Sequence, residues 1–246
     1  LSDLGDAPEI VTEVTFSFRQ LRTVAHEYGV SPLSILSPLF CRAFYAKFGN
    51  GSEKPVIAQI PVDLHPYIPS ITNRYFICFL DLPYEAAYEQ LPLPEVFRTT
   101  KRFLEEQMNP ELLLFRAKGA SSACAEMHER DIPLAEKEQA ARALVHNFVH
   151  ADSFLITNVG QFKLPDCMHP YVLDYGAVLP SASQPFGVLI SSYGGKMKIS
   201  IAQHDHDMQV CSKFIQLLGE IGVEASMHSY PFVVTRFNGQ EACPKY

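Results

Sequence analysis

The pattern of hydrophobic and polar positions predicts an α/β protein, with one mixed sheet of about six strands and helices packed on it. Residues 11–16 alternate as a strand does, and residues 18–28 repeat apolar side chains at helical spacing. Ser17 is placed to cap that helix. Ser31 and Pro32 then begin a second helix, which is apolar on nearly every side and ends near Gly49.

The rest of the chain alternates between blocks of strands and a block of helices. Residues 55–62 form a short, nearly continuous apolar run, which is typical of a central strand. Residues 92–147 have helical spacing throughout, and Gly194-Gly195 indicates a hairpin turn. The other predicted strands are 75–84, 153–160, 171–179, 185–195, 196–203 and 229–237, with a helix at 208–220.

Composition narrows the classes of protein and partner. The 246 residues are 47% hydrophobic and 19% charged, and we expect one domain over residues 1–246. The net charge of −7 and the absence of a basic run argue against nucleic acid as a partner. No apolar run is long enough to span a membrane, no signal peptide is evident, and the six cysteines lie far apart. We therefore expect a cytoplasmic protein with reduced thiols.

The run His204-Asp205-His206-Asp207 invites a metal or acid–base hypothesis. If the preceding strand continues through it, the histidines face one side and the aspartates the other, so the four side chains do not converge on a metal. Asp207 directly precedes a helix and is placed to cap it, and Asp205 or His206 could equally lie in the turn before that helix. We expect no metal site, and we find no phosphate loop, dinucleotide fingerprint, His-Glu-x-x-His or Gly-x-Ser-x-Gly motif.

Two further stretches carry candidate residues. Thr157 and Asn158, followed by Gly160, place a hydroxyl and an amide where a strand must bend. Such groups hold a substrate carbonyl or simply form a strand-end turn, and the sequence does not decide between these interpretations. Asp174 and Gly176 indicate a turn or a strand bulge.

In the order of these elements, the chain resembles the C-terminal half of the chloramphenicol acetyltransferase-like acyltransferases. That superfamily includes peptide-synthetase condensation domains, plant-type acyl-coenzyme A transferases and alcohol acetyltransferases. Residues 18–44 are similar to the helix pair that opens the second subdomain. Residues 55–80 are similar to the strand, loop and strand that follow, with His65 in place of the usual arginine and Thr72-Asn73 in place of Gly-Asn.

Later motifs support the same resemblance. Residues 154–162 look like the Ser-Asn-x-Gly strand of the alcohol acetyltransferases, with Thr157 in place of serine. Asp174, Gly176 and Pro180 are what remains of the plant-type motif Asp-Phe-Gly-Trp-Gly-Lys-Pro.

The histidine motif of that superfamily is absent from the chain. In the family, His-His-x-x-x-Asp-Gly in the N-terminal half supplies the general base. None of the nine histidines here has an aspartate four positions later, and the chain begins with Leu1 rather than methionine. The resemblance therefore implies that the His-bearing half lies upstream, that this chain holds no catalytic residue, and that it is inactive alone.

The function implied is that of the C-terminal half of an acyl-coenzyme A-dependent O-acyltransferase of alcohol acetyltransferase type. Thr157, Asn158 and Gly160 would line one wall of the substrate tunnel, whereas Asp174, Gly176 and Asp207 would be structural. The co-substrate would be acyl-coenzyme A or a pantetheine-linked acyl group, with no tightly bound cofactor. Its partners would be the missing N-terminal subdomain, an alcohol acceptor and the acyl donor, and a second copy of the chain is a further candidate.

Two points stay open. The alternative functions are a degenerate, non-catalytic binding or oligomerisation module of the same fold and, ranked after it, an independent hydrolase whose site matches no known motif. His204 and His206 are structural or solvent-exposed, or one of them lies at the tunnel mouth.

Overall fold

The structure is a computed structural model that describes residues 9–49, 54–73, 76–149, 152–181 and 184–232. Within these residues one mixed sheet has seven strands, whereas about six were predicted. The strands are β1 (Glu9–Ser17), β2 (Val56–Asp63), β3 (Ile77–Tyr84), β4 (Phe154–Gln161), β5 (Phe186–Tyr193), β6 (Lys196–Gln203) and β7 (Ala225–Phe232). Their order across the sheet is β3-β2-β4-β5-β6-β1-β7.

Six α-helices are present in the described part of the chain. They are α1 (Phe18–Tyr28), α2 (Pro32–Phe48), α3 (Leu93–Gln107), α4 (Pro110–Glu129), α5 (Leu134–Val149) and α6 (Gln209–Glu220). The predicted caps are confirmed, because the side chain of Ser17 accepts from the Gln20 amide and that of Ser31 accepts from the Ser34 amide. None of the helices so described is long and apolar enough to cross a membrane.

Strand direction places four strand ends at one edge of the sheet. β2 and β5 both pair parallel with β4. β1 and β5 each pair antiparallel with β6, so β1 runs in the same direction as β5. The carboxyl ends of β1, β2, β4 and β5 therefore lie together, and we call this side of the sheet the carboxyl edge.

The main core lies between one face of the sheet and α1, α2, α3 and α6. Phe40 of α2 is 1% exposed and packs edge-on against Phe154, Phe186 and Phe214, which come from two strands and α6. Burying one such ring stabilises the fold by roughly 1.5–3 kcal/mol relative to leaving it in water. Because α2 packs against α1, α3 and α6 as well as against the sheet, it is apolar on nearly every side.

On the opposite face of the sheet, an extended segment crosses β5, β6 and β1. Residues 171–179 were predicted as a strand, and this is wrong: a 3₁₀ helix ends at Tyr171, and residues 172–181 join no ladder. The reason is that β4 lies between β2 and β5, and β5 between β4 and β6, so neither has a free edge. The segment crosses one face of the sheet instead, with Tyr171 and Leu173 exposed and residues 177–179 partly buried, and we call residues 172–181 the strap.

The first half of the strap is held by two polar contacts. Tyr193 Oη donates to the Val172 carbonyl at 2.9 Å, and Lys198 Nζ lies 2.8 Å from Asp174 Oδ2. Asp174 and Gly176 therefore belong to an extended crossing segment and not to a turn or a bulge within a strand. A Cβ at Gly176 would lie 3.1 Å from the Lys198 side chain, so a small residue suits this crossing.

The second half of the strap lies close to the sheet backbone. A Cβ at Gly187 in β5 would lie only 2.4 Å from the Leu179 carbonyl oxygen. The amide and hydroxyl of Ser181 both donate to Glu9 Oε1, at 3.0 and 2.6 Å. These two hydrogen bonds hold the end of the strap against the buried carboxylate of Glu9, the first residue of β1.

The strand before the His-Asp run ends at Gln203, so the predicted split of its side chains between two faces is wrong. Gln203 Nε2 donates to the carbonyls of Asp205 and Asp207, which turns the chain away from the ladder. Lys47 Nζ then lies 2.7 Å from Asp205 Oδ2 and 3.1 Å from Asp207 Oδ2. Asp207 Oδ1 also accepts from the amide of Gln209, the first residue of α6, at 2.8 Å.

The last strand begins earlier than its sequence pattern indicates. β7 covers Ala225–Phe232, whereas 229–237 was predicted. Residues 233–237 of that prediction lie outside the described residues.

Candidate functional site

The strand topology indicates the carboxyl edge as the location of a ligand site. In open sheets with parallel strands, ligands bind outside the carboxyl ends of those strands, where loops leave the sheet. Here that edge includes the end of β2 at Asp63, the end of β4 at Gln161 and the turn after Tyr193.

The end of β4 contains a bulge. Asn158 is opposite Ile190 and Gly160 is opposite Ser191, so Val159 is an extra residue with no partner in β5. Gly160 has φ +74°, which favours glycine, and Asn158 Oδ1 accepts from its amide at 2.9 Å. The structure therefore links two of the three predicted wall residues directly.

Thr157 and Asn158 point to opposite faces of the sheet, because neighbouring side chains in a strand alternate. Thr157 is half-buried and Asn158 is exposed. Among the described residues, neither the Thr157 hydroxyl nor Asn158 Nδ2 has a hydrogen-bond partner. Both groups are able to donate to a ligand, and Asn158 is the more accessible of the two.

An aromatic cluster adjoins the bulge, and the sequence did not reveal it. The rings of Phe162 and Tyr175 stack at 4.0 Å with an interplanar angle of 7°. The ring centre of Tyr193 lies 6.1 Å from that of Phe162, and the His169 ring is parallel to the Tyr193 ring with their centres 6.3 Å apart. Tyr175 belongs to the strap, so this cluster forms only because the strap crosses the sheet.

A histidine at the end of β2 is held between two acceptors. His65 Nδ1 lies 2.5 Å from Asp63 Oδ1, and Nε2 lies 3.0 Å from the Thr72 carbonyl. The bond to the Thr72 carbonyl and that to Asp63 raise the pKa of His65, and His65 in turn lowers the pKa of Asp63. Because a carbonyl and a carboxylate only accept, both ring nitrogens donate and His65 is favoured as the imidazolium.

Apolar side chains are exposed in the segment that follows the bulge. Five of the eleven large apolar side chains exposed in the described part of the chain lie between residues 159 and 173. They are Val159, Phe162, Met168, Tyr171 and Leu173, and the last two are 81% and 92% exposed. Large apolar side chains that are exposed close together in one segment indicate a candidate interaction site.

The His-Asp run lies at the other edge of the sheet. β6 is antiparallel to β1 and β5, so its end at Gln203 is next to the start of β1, and His204 Nε2 lies 3.3 Å from Glu9 Oε1. Across the described ranges, no three histidine, cysteine or acidic side chains are grouped as a metal site requires.

No family model matches the chain, and no curated protein is similar to it at a significant level. The structure, however, is similar to several solved acyltransferases and condensation-type domains. F. sporotrichioides TRI101, solved in complex with coenzyme A and T-2, has 12% identity and a TM-score of 0.58, covering 89% of this chain and 52% of its own.

Two further structures show the same relationship. The wax ester synthase/diacylglycerol acyltransferase of Marinobacter aquaeolei has 14% identity and a TM-score of 0.51, covering 86% of this chain and 48% of its own. The epimerization domain from the third module of tyrocidine synthetase B has 13% identity and a TM-score of 0.54, with the same two coverages. The fold is that of a chloramphenicol acetyltransferase-like half-domain. The chain spans about half the length of these structures, and the predicted fold class is confirmed.

Proposed function

We propose that the chain is the C-terminal half of an acyl-coenzyme A-dependent O-acyltransferase of alcohol acetyltransferase type. Its carboxyl edge would form one wall of a substrate tunnel, and a His-bearing N-terminal subdomain would form the other. The observation that carries this proposal is the position of the exposed apolar segment 159–173, which begins within the β4 bulge. Apolar side chains suit contact with another subdomain and with an acyl chain. The neighbouring Thr157 hydroxyl and Asn158 amide are able to bind a substrate carbonyl.

The wall residues would bind and orient rather than transfer a proton. The Asn158 Nδ2 group is able to donate to an amide or thioester carbonyl of the acyl donor. The Thr157 hydroxyl would contact whichever substrate lies on its own face of the sheet. His65 is poorly suited to act as a base, because its two nitrogens donate to Asp63 and Thr72.

The base that deprotonates the alcohol would therefore come from the other subdomain. Acyl transfer moves the acyl carbon from the thioester sulfur to the alcohol oxygen, and the free thiol of coenzyme A leaves. Such chemistry requires no tightly bound cofactor in this half. We place the reaction in the cytoplasm, and a second copy of the chain is a further candidate partner.

The test is reassembly of the two halves. This chain and the His-bearing half of its parent protein are purified separately, mixed, and followed by gel filtration and by release of free thiol from acetyl-coenzyme A with an alcohol. We expect co-elution and thiol release by the mixture, with none by either half. Two folded halves that neither co-elute nor release thiol would overturn the proposal, and co-elution without thiol release would favour the non-catalytic module.

A matched pair of variants locates the docking surface. Leu173→Ser removes a side chain that is 92% exposed in the segment 159–173, and Ile71→Ser removes one that is fully exposed in the loop after β2. If the apolar segment contacts the other half, Leu173→Ser weakens co-elution more than Ile71→Ser does. Equal effects, or none, would argue against this surface.

A further inference from the structure

A groove of about 530 Å³ lies beside α1 and carries several positive side chains. It is formed by one side of α1 and the β5–β6 turn at Gly195. Arg19, Arg22 and His26 line it, and their spacing along the helix places them on one side. All three are exposed to solvent.

The charge of this groove is opposite to that of the chain as a whole. Arg19 and Arg22 contribute two positive charges, and Glu27 contributes one negative charge, whereas the chain carries −7. Within the described residues, neither arginine has a carboxylate at ion-pair distance. A positive groove on an acidic protein attracts anions selectively, because the surrounding surface repels them.

The geometry of the groove suits a phosphate attached to a flat group. The Arg22 guanidinium lies 5.8 Å from the centre of the Phe18 ring, so a cation and an aromatic face are presented together. The groove runs along α1 from Phe18 and Arg19 in the first turn, where the helix dipole is positive, to His26 and Glu27 in the last turn. Guanidinium groups bind phosphate oxygens through two parallel hydrogen bonds, which lysine does not provide.

We propose that this groove binds the phosphate of a nucleotide. The phosphate would lie on Arg19 and Arg22, with the base or ribose toward Phe18. Glu27 follows His26 near the C-terminal end of α1. Its negative charge would limit how much negative charge a ligand in the groove can carry. The inference does not rest on the proposed acyltransferase function, although the nucleotide end of coenzyme A and a free nucleotide carry the same chemistry.

Calorimetric titration of the whole chain tests the assignment. The ligands are adenosine 3′,5′-bisphosphate, AMP, coenzyme A and, without phosphate, adenosine. We expect the phosphorylated ligands to bind and adenosine not to bind. Tighter binding of coenzyme A than of AMP would identify the coenzyme as the source of the phosphate, and equal binding would identify a free nucleotide.

Variants link any binding to the groove. Arg19→Gln/Arg22→Gln should weaken binding by about tenfold or more, because two charged hydrogen-bond donors are lost. Lys118→Gln/Arg142→Gln removes the same charge from exposed positions on α4 and α5, and should leave Kd within about twofold of the unmodified chain. Equal binding of adenosine and AMP, or equal loss in the two double variants, would overturn the assignment. Because acyl transfer is not measured, failure here leaves the reassembly test unaffected.

Discussion

Asp174 Oδ2 lies 2.8 Å from Lys198 Nζ, and this ion pair joins the strap to the centre of the sheet. Lys198 also lies 3.3 Å from Glu13 Oε2 in β1. Partial burial disfavours the ammonium form of Lys198, but Asp174 and Glu13 outweigh that penalty and raise its pKa. The hydrogen bond from Lys198 lowers the pKa of Asp174.

Asp174→Asn should loosen the strap slightly. The carboxylate side chain is 58% exposed, so we expect a loss of under about 1 kcal/mol in the free energy of unfolding at neutral pH. Because the folded pKa of Asp174 is lowered, its contribution is present above the ordinary aspartate pKa and is lost as the pH falls through the folded value. Urea unfolding at several pH values measures both effects. Asp166→Asn is the control, since Asp166 is fully exposed and its nearest basic group is His169 at 4.0 Å.

Gly187→Ala should displace the strap. The added Cβ would lie 2.4 Å from the Leu179 carbonyl oxygen, and backbone cannot yield as a side-chain tip does. We expect a loss of about 1–3 kcal/mol in the free energy of unfolding, together with faster proteolysis within residues 172–181. Thermal unfolding and limited proteolysis measure these changes.

Gly219→Ala is the matched control for that substitution. Gly219 lies in α6, and a Cβ there meets nothing within 4 Å. Alanine should be neutral or stabilise the helix by roughly 0.5–1 kcal/mol. If both variants lose stability equally, close contact between the strap and β5 is not the cause.

Asp152→Asn should change how stability depends on pH. Burial and the neighbouring Asp81 carboxylate raise the pKa of Asp152 to about 6. The folded state therefore holds its proton more tightly than the unfolded state does, and stability falls as the pH rises from about 4 to 6. Asparagine keeps an acceptor for Gln59 Nε2, which donates to this side chain.

The expected result is a flatter profile between pH 4 and 6 and a gain of about 1 kcal/mol at pH 7, since partial exposure screens the penalty. Chemical unfolding of both proteins across that range measures it. An unchanged slope would show that Asp152 titrates normally in the folded protein.

Local signals were sufficient for the helices and most strands. Ser17 and Ser31 cap helices because a hydroxyl reaches an amide only a few residues away, and such caps are visible in sequence. The Gly194-Gly195 turn between β5 and β6 is equally local, and both glycines have positive φ. Local features of this kind are sufficient to predict an α/β fold without knowledge of long-range contacts.

The strap and the Lys47 network depend on contacts between distant residues. The alternation in 171–179 is the same whether the segment pairs with a strand or packs across a face of the sheet. The segment cannot pair with β4 or β5, because each of these strands already has a neighbouring strand on both sides. Lys47 and Asp205 are 158 residues apart, so no spacing rule reveals that one cation holds two aspartates. The aromatic cluster at Phe162 was missed for the same reason, since it requires Tyr175 from the strap.

At the bulge, the sequence located the candidate residues but not their relative orientation. The sequence predicts Thr157, Asn158 and Gly160 as residues of the tunnel wall, with a bend of the strand at this point. Alternation along β4 then places Thr157 on one face and Asn158 on the other. Their role in substrate binding stays a prediction.

The most direct test of the account is the rate of acetyl transfer by the reassembled protein carrying Asn158→Ala. Asn158 is exposed and its truncation removes one hydrogen bond within the chain, from the Gly160 amide, so the free energy of unfolding should fall by no more than about 1 kcal/mol and co-elution should be unchanged. If the carboxyl edge is the tunnel wall, we expect kcat/KM for acetyl-coenzyme A to fall about tenfold or more, as when a positioned hydrogen-bond donor is removed from a substrate site. A variant that co-elutes with the His-bearing half and transfers acetyl at the unmodified rate would contradict the central claim.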